Sequence, residues 1–472
     1  MKDRIKLFEN NIQLQYFLLI GITLLAAVGR FYQLGTWGFW YDEIYTMRDV
    51  GNIFTLGWLN QQVSRLLIYL TVNFLGTSEL TARLAPALIG ILTVPILYFP
   101  TRKLFGPIVA LLAALFLAVS PWHLYWSQNA RFYTTLLLFY SLALFAFYFA
   151  FEKDRPVYLL LFLFLLGLAV QERLFAVFMA PIAAIYLLAV KFLPFEKPAG
   201  LRARNIWLLV IPVVGISLIG GYEFISNPEK YLVGFGWVNN NPLWLMGGVV
   251  YYVGLAFLCM GGFGGYFLLR QKNRAGLLLV IAAGFPVLAI LALSPIQYTA
   301  NRYAFIALTS WLILAATGVW ELFQRVESHA WYLTVGVLLI MLLEPMSEDV
   351  LYYRYQNGNR DDWKAAFTFI NRLKGADDRV VVTNTLLGDY YTAGNGTINY
   401  RALDLDNLPA DGHRYWFVED NNVDEKSPAI LRWLQQNADL MAVFDVHVRA
   451  RVFRMRVYFY EPGATQVTGT RP

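Results

Sequence analysis

The feature that most constrains this chain is a repeated one. Apolar runs near the length of a membrane span follow one another from Leu14 to Leu343, most of them closed by basic residues. About 20 apolar residues in an α-helix cross the hydrocarbon layer of a bilayer. The candidate spans are 14–32, 83–100, 107–120, 131–151, 157–170, 174–190, 206–225, 243–269, 276–293, 303–320 and 331–343, about eleven in all. Composition agrees: 15% of the residues are charged, where a soluble protein of this length carries about a quarter. Residues 56–75 are mixed, with Gln61, Gln62, Ser64 and Arg65 in the first half, and read as a helix lying in the interface.

The basic residues orient these spans. With the N-terminus inside, the inner segments hold Lys2, Arg4 and Lys6, the loop from Lys191 to Arg204, and Arg270, Lys272 and Arg274. Together the inner segments carry about twice the Lys and Arg of the outer ends, which include Arg30, Arg83, Lys230 and Arg302. Reading 56–75 as a true span would reverse every later loop. The expectation is a mainly α polytopic protein of the plasma (cell) membrane with a cytoplasmic N-terminus. The first helix is retained, because no small-residue cleavage site follows its apolar run. The net charge of +6 does not indicate nucleic acid, since the basic residues cluster at helix ends.

Composition shifts near Glu344, which divides the chain into a membrane domain, 1–345, with a first outer loop at 33–82, and a small extracytoplasmic α/β domain, 346–472. Asp361 or Asp362 caps a helix whose Trp363, Phe367, Ile370 and Leu373 recur at helical spacing. Strands are expected at 379–383, 414–418, 441–446 and 448–460, and a helix after Ser427-Pro428. The alternating Arg449, Arg451, Arg454 and Arg456 read as a strand's solvated face. Cys259 is the single cysteine, so no disulfide within the chain holds the outer domain together. Asn395-Gly396-Thr397 is a formal glycosylation sequon.

Within the first outer loop, Trp37-Gly38-Phe39-Trp40-Tyr41-Asp42-Glu43-Ile44-Tyr45 sets two adjacent acids among aromatic rings near a membrane surface. A carboxylate there is costly unless it is solvated, paired or used. Other polar residues fall at the same outer helix ends: His123, Gln128, Asn129 and Arg131; Gln171, Glu172 and Arg173; Gln297, Asn301 and Arg302. Such a face handles an anion and a proton together. A carboxylate takes the proton from an acceptor hydroxyl, and arginines hold a phosphate and the charge that grows as it leaves. This chemistry suits sugar transfer from a polyprenyl-phosphate carrier.

The residues that carry a family resemblance are Asp42-Glu43-Ile44-Tyr45; Gly76-Thr77-Ser78-Glu79-Leu80-Thr81-Ala82-Arg83-Leu84-Ala85-Pro86-Ala87; Arg102-Lys103-Leu104-Phe105-Gly106; the run from Ser120-Pro121-Trp122-His123 through Ser127-Gln128-Asn129-Ala130-Arg131-Phe132-Tyr133; and Asn301-Arg302-Tyr303. In this order and spacing the chain resembles the GT-C superfamily of membrane glycosyltransferases, of the protein O-mannosyltransferase and aminoarabinose-transferase type. The similarity is dense over residues 37–150. It implies a GT-C-like fold, a polyprenyl-phosphate sugar donor and a glycan, lipid or protein acceptor. It also implies an inverting hexosyl or pentosyl transfer outside the cytoplasm, with Asp42 as base. Glu43 joins Asp42 as a catalytic candidate. Arg83, His123, Gln128, Arg131, Tyr133, Glu172, Arg173 and Arg302 are the substrate-binding candidates. Two departures stand out: Asn60-Gln61-Gln62 replaces a His- or Lys-Pro-Pro motif, and Asn129 stands where relatives often carry an acid. Glu172 offers a second acid. A divalent metal ion is the one cofactor the resemblance suggests, and Asp42 with Glu172 is the pair for it.

The competing class is a lipid or glycolipid transporter or flippase. Transporters place charged sites near the bilayer midplane, often on internal repeats. Here the acids lie at outer helix ends and the two halves show no repeat. No Walker motif is present. A mere anchor for the outer domain needs far fewer spans.

Overall fold

The computed structural model describes residues 7–56, 62–226, 241–326, 330–392, 396–403, 412–426, 428–448 and 451–462. Lys2, Arg4, Lys6, Asn60, Gln61, Lys230, Asn395, Ser427 and Arg449, drawn on above, lie outside them.

Along the chain, α1 is Ile12–Phe31, opened by Asn11, whose side chain accepts from the Leu14 N–H. The loop after it contains α2, Tyr41–Gly51, and leads to α3, Val63–Leu75. The next element, α4, is Glu79–Ala118, 40 residues long. Straight, it would reach about 60 Å, twice the hydrocarbon thickness of about 30 Å. Gly106 breaks it at φ 85°, ψ 170° just before Pro107, so two expected spans share this one element. Then come α5 (Pro121–Ser127), α6 (Tyr133–Lys153), α7 (Pro156–Glu172), a 3₁₀ turn at Leu174–Phe178, α8 (Met179–Phe192) and α9 (Ala203–Ser226). They are followed by α10 (Pro242–Val253), α11 (Leu255–Arg270), α12 (Arg274–Leu293), a 3₁₀ segment at Asn301–Ala307, α13 (Leu308–Arg325) and α14 (Trp331–Arg354).

Among the described residues, six stretches are long and apolar enough to cross a membrane: α1, α4, α6, Leu174–Phe192, α12 and Asn301–Arg325. A seventh arises if α10 and α11, bent by 88°, count as one span. The expected eleven are not reached on this measure, for local reasons. The run 243–269 is broken at Gly254, whose φ of +94° falls in the left-handed region. α7 is apolar but short, and α14 carries Pro345 and turns polar in its second half.

The described chain divides into two compact units. The first comprises 1–32, 54–67 and 85–347. Within it, α6 is buried on nearly every side, from Leu136 and Leu137 to Phe147 and Phe151, as suits a helix apolar all round. α11 and α13 meet backbone to backbone through glycines: a Cβ on Gly264 would lie 2.2 Å from the Leu314 carbonyl oxygen, and one on Gly318 2.1 Å from that of Met260.

The second unit comprises Gln33–Ile53, Ile68–Leu84 and Glu348–Pro472. The first-loop segments Gln33–Ile53 and Ile68–Leu84 thus share a compact unit with the C-terminal residues. The unit contains α15 (Trp363–Leu373), β1 (Arg379–Val382), α16 (Thr385–Tyr391), β2 (Ile398–Asn399), β3 (Tyr415–Asp420), α17 (Asn421–Lys426), α18 (Pro428–Asn437) and β4 (Asp439–Val443). The long strand expected at 448–460 is instead part of a hairpin, β5 (Val446–Val448) with β6 (Arg451–Phe453), followed by β7 (Met455–Tyr460). The main sheet runs β2-β1-β3-β7-β4. β1 is parallel to β2 and β3, and β7 is antiparallel to β3 and β4. β3 is central and buried at every position. Its Phe417 packs in a core cluster with Val381, Tyr400, Val423, Leu434 and Tyr458. Asp362 caps α15, accepting from the Ala365 N–H at 3.0 Å. Arg456, expected on a solvated face, is half-buried beside Glu419 and Asp445.

Candidate functional site

In the second unit the loop is built around one buried ion pair. Glu43 and Arg83 are each 0% exposed. Arg83 Nε donates to Glu43 Oε1 at 2.8 Å and Nη2 to Oε2 at 2.7 Å. The other donors go to backbone carbonyls: Nη1 to Leu34 and Trp37, and Nη2 to Gly38. A guanidinium has five N–H groups, and all five are engaged. Arg83, expected to bind substrate, and Glu43, expected in catalysis, are a closed pair that holds the loop. Trp37 is held in turn by rings: Tyr353 stacks on it at 5.8 Å and Tyr352 meets its edge at 5.0 Å. The turn behind it needs Gly358, at φ +61°, where a Cβ would come within 2.7 Å of the indole.

Asp42 is the second residue of α2, half-buried, with its carbonyl accepting from Thr46 Oγ1 at 3.0 Å. Two acids in the first turn suit the positive end of the helix dipole. Tyr41, before it, is buried, and burial first, then the Asp420 charge, pushes its phenol well above the usual range. It therefore stays a hydrogen-bond donor at working pH.

The first unit gathers most of the other candidates, in differing roles. Ser120 caps α5, with Pro121 at its first position. α5 carries His123, which is fully buried. Arg30 Nη2 lies 2.7 Å from His123 Nδ1. Arginine can only donate, so Nδ1 accepts and the ring is neutral. Arg30 also donates to the carbonyls of Ala26, Leu117 and Ala118. Gln128 Nε2 donates to the carbonyls of Gly29, Arg30 and Tyr32 and so closes the C-terminal end of α1. Tyr133 is a wall residue, its ring 3.6 Å from that of Trp126. His123, Gln128 and Tyr133, expected to touch substrate, have these partners within the first unit.

Arg131, Arg173 and Arg302 are the other arginines expected at the substrate. Arg131 and Arg173 both lie over the ring of Phe132, at 5.2 and 5.5 Å from its centroid. Arg131 is half-buried and Arg173 exposed. The 3₁₀ segment with Arg302 is tied to the same region by its neighbour Tyr303, which packs on Phe175 at 5.1 Å. The structure thus brings together guanidinium groups from the start of α6 and the end of α7.

Glu172 is fully buried. Its Oε1 accepts from the Ser64 N–H at 2.8 Å and its Oε2 from the Ser64 hydroxyl at 2.6 Å. Gln62 donates to its carbonyl at 2.6 Å. Glu172 therefore caps the start of α3 from a distant part of the chain, satisfying a first-turn amide that an ordinary N-cap would serve. Each of its oxygens accepts one hydrogen bond from Ser64. Among the described residues no group of three or more His, Cys, Asp or Glu side chains is placed to hold a metal ion. Sequence reasoning missed Arg30 and Ser64 as partners. Arg30 read only as a basic helix end, and Ser64 as one polar residue of a mixed stretch.

Residues 63–217, about a third of the chain, match the family of dolichyl-phosphate-mannose-protein mannosyltransferases. No curated protein matches the chain by sequence. Among solved structures, it is similar to ArnT from Cupriavidus metallidurans bound to undecaprenyl phosphate, with a TM-score of 0.62 at 14% identity over 97% of this chain and 99% of that one. It is also similar to the apo form of the Archaeoglobus fulgidus oligosaccharyltransferase, with a TM-score of 0.58 at 13% identity over 90% of this chain and 71% of that one. The fold over nearly the whole chain is similar to those of these two structures, and the family match is confined to residues 63–217.

Proposed function

We propose that this chain is a membrane glycosyltransferase that moves a sugar from a polyprenyl-phosphate donor to an acceptor hydroxyl outside the cytoplasm, with inversion at the sugar carbon and Asp42 as general base. The observation that carries the reading is the near full-length likeness to an ArnT structure that holds undecaprenyl phosphate, joined by the family match over 63–217. The arginines give it chemistry. Arg131 and Arg173, over Phe132, with Arg302, hold the donor phosphate and stabilise the charge it gains on leaving.

The transfer balances without further groups. Asp42 takes the proton of the acceptor hydroxyl, and the oxygen attacks the anomeric carbon from the side opposite the phosphate. The carbon–oxygen bond to the phosphate breaks, and the phosphate leaves with the electron pair. A phosphate needs no general acid to leave. The Glu43–Arg83 pair keeps the loop that carries Asp42 in place. The acceptor is a glycan, a lipid or a protein hydroxyl.

The donor site is tested by converting Arg131, Arg173 and Arg302 to lysine one at a time. Lysine keeps the charge and loses the forked geometry. Affinity for a defined polyprenyl-phosphate sugar is expected to fall by about tenfold or more, the equivalent of 1.4 kcal/mol. Unchanged affinity in all three variants removes these arginines from the donor site.

A further inference from the structure

Asp42 stands between two neighbours whose side chains are fixed at their tips. Glu43 is locked to Arg83. On the other side, the Tyr41 hydroxyl lies 2.5 Å from Asp420 Oδ2 and 2.5 Å from Thr383 Oγ1. The Thr383 hydroxyl donates to the same Oδ2 at 2.7 Å. Asn422 completes the cluster, its backbone N–H donating to Oδ1 at 3.0 Å and its side-chain amide to Oδ2 at 3.1 Å. Asp420 is the last residue of β3 and is 1% exposed. Thr383 directly follows β1, the parallel neighbour of β3. The cluster therefore sits where two strands end on the same side of the sheet. All these residues belong to the second compact unit.

The start of α2 depends on such an anchor. Its N-cap, Trp40, makes no side-chain cap hydrogen bond, and an isolated helix of this length is marginal in water. The segment leading in is tied in the same way: the Phe39 N–H donates to the Tyr391 hydroxyl at 2.6 Å, and that hydroxyl donates to Glu79 Oε1 at 2.9 Å.

We infer that Asp420 is a positioning residue for the transfer: through Tyr41 it fixes the first turn of α2 and with it the direction of the Asp42 carboxylate. The inference rests on Asp42 being the base. Successive helix residues point about 100° apart. With residues 41 and 43 both pinned, the first turn cannot rotate or slide without breaking a buried cluster, so residue 42 has one direction. A displacement of about 1 Å at a reacting group costs on the order of 10²-fold in rate. The C-terminal sheet is then part of the machinery for every acceptor, including acceptors it never touches.

The test uses the full-length protein in lipid nanodiscs, a defined polyprenyl-phosphate sugar and a hydroxyl acceptor. Tyr41→Phe removes only the hydroxyl. It is expected to lower kcat about 10²-fold, leave the donor KM within about twofold, and speed hydrogen exchange over residues 40–48. Thr383→Val, which leaves Tyr41 and Asp420 in place, is expected to lose less in the same direction, and it serves where Tyr41→Phe does not fold. In an Asp42→Asn background, Tyr41→Phe should cost nothing further, because direction matters only while the base is present. A Tyr41→Phe enzyme with wild-type kcat beside an inactive Asp42→Asn enzyme overturns this inference alone, as does a fully additive loss in the double variant. Wild-type turnover in Asp42→Asn overturns the base assignment and this inference with it.

Discussion

At the scale of single residues, the adjacent acids of the first loop have opposite circumstances. Asp42 is half-buried at the start of a helix, while Glu43 is sealed against Arg83 with both oxygens engaged. Removing one partner of a buried pair leaves an uncompensated charge, at a cost of about 3–5 kcal/mol. Glu43→Ala is therefore expected to lower the thermal unfolding temperature markedly. Adding Arg83→Met should recover only part of this, because the carbonyls of Leu34, Trp37 and Gly38 lose their donor. Full stability in Glu43→Ala, measured by unfolding of the purified protein, contradicts the structural role. The sequence made both acids visible and left their division of labour open. Glu43 finds its partner 40 positions away, and Arg30 finds His123 93 positions away. No local pattern encodes such pairs. The arginines over Phe132 were legible as a class, because short loops at helix ends already carried them, but the shared ring that joins Arg131 and Arg173 was not.

At the scale of elements, local punctuation was the most readable signal. Asp362 opens α15, and Ser120-Pro121 opens α5. Breaks inside apolar runs were hidden, because Gly254 interrupts a stretch that stays apolar on both sides. Close helix packing was equally silent. Gly264 and Gly262 look alike in the sequence, yet a Cβ on Gly264 would meet the Leu314 carbonyl oxygen at 2.2 Å and the Gly318 nitrogen at 2.6 Å, whereas one on Gly262 meets nothing within 4 Å. Backbone atoms of a packed helix cannot swing aside. Gly264→Ala should destabilise the α11–α13 pair by about 1–3 kcal/mol, and Gly262→Ala should be neutral or slightly stabilising. Equal unfolding temperatures for the two variants would mean that α11 and α13 do not pack through these glycines.

At the scale of the whole molecule, the membrane class and the superfamily resemblance were legible because composition and motif order are properties of the chain itself. The division into units was not, since it rests on hydrogen bonds such as those of Tyr41 and Tyr391, which tie the first loop to residues more than 300 positions on. The charge bias predicts an orientation that labelling can read. In a Cys259→Ser background, a cysteine at exposed Ala376 should react with an impermeant maleimide on intact cells, and one at exposed Gln271 only after the inner face is opened. The reverse pattern contradicts the orientation.

If Asp42 is the base, Asp42→Asn loses turnover and keeps its donor. Asparagine keeps the size of the side chain and cannot take the proton. With purified protein, a defined polyprenyl-phosphate sugar and a hydroxyl acceptor, the transfer rate should fall by about 10²–10⁴-fold while donor affinity stays within about twofold of the wild type. Near-normal turnover in Asp42→Asn would mean that Asp42 is not the base.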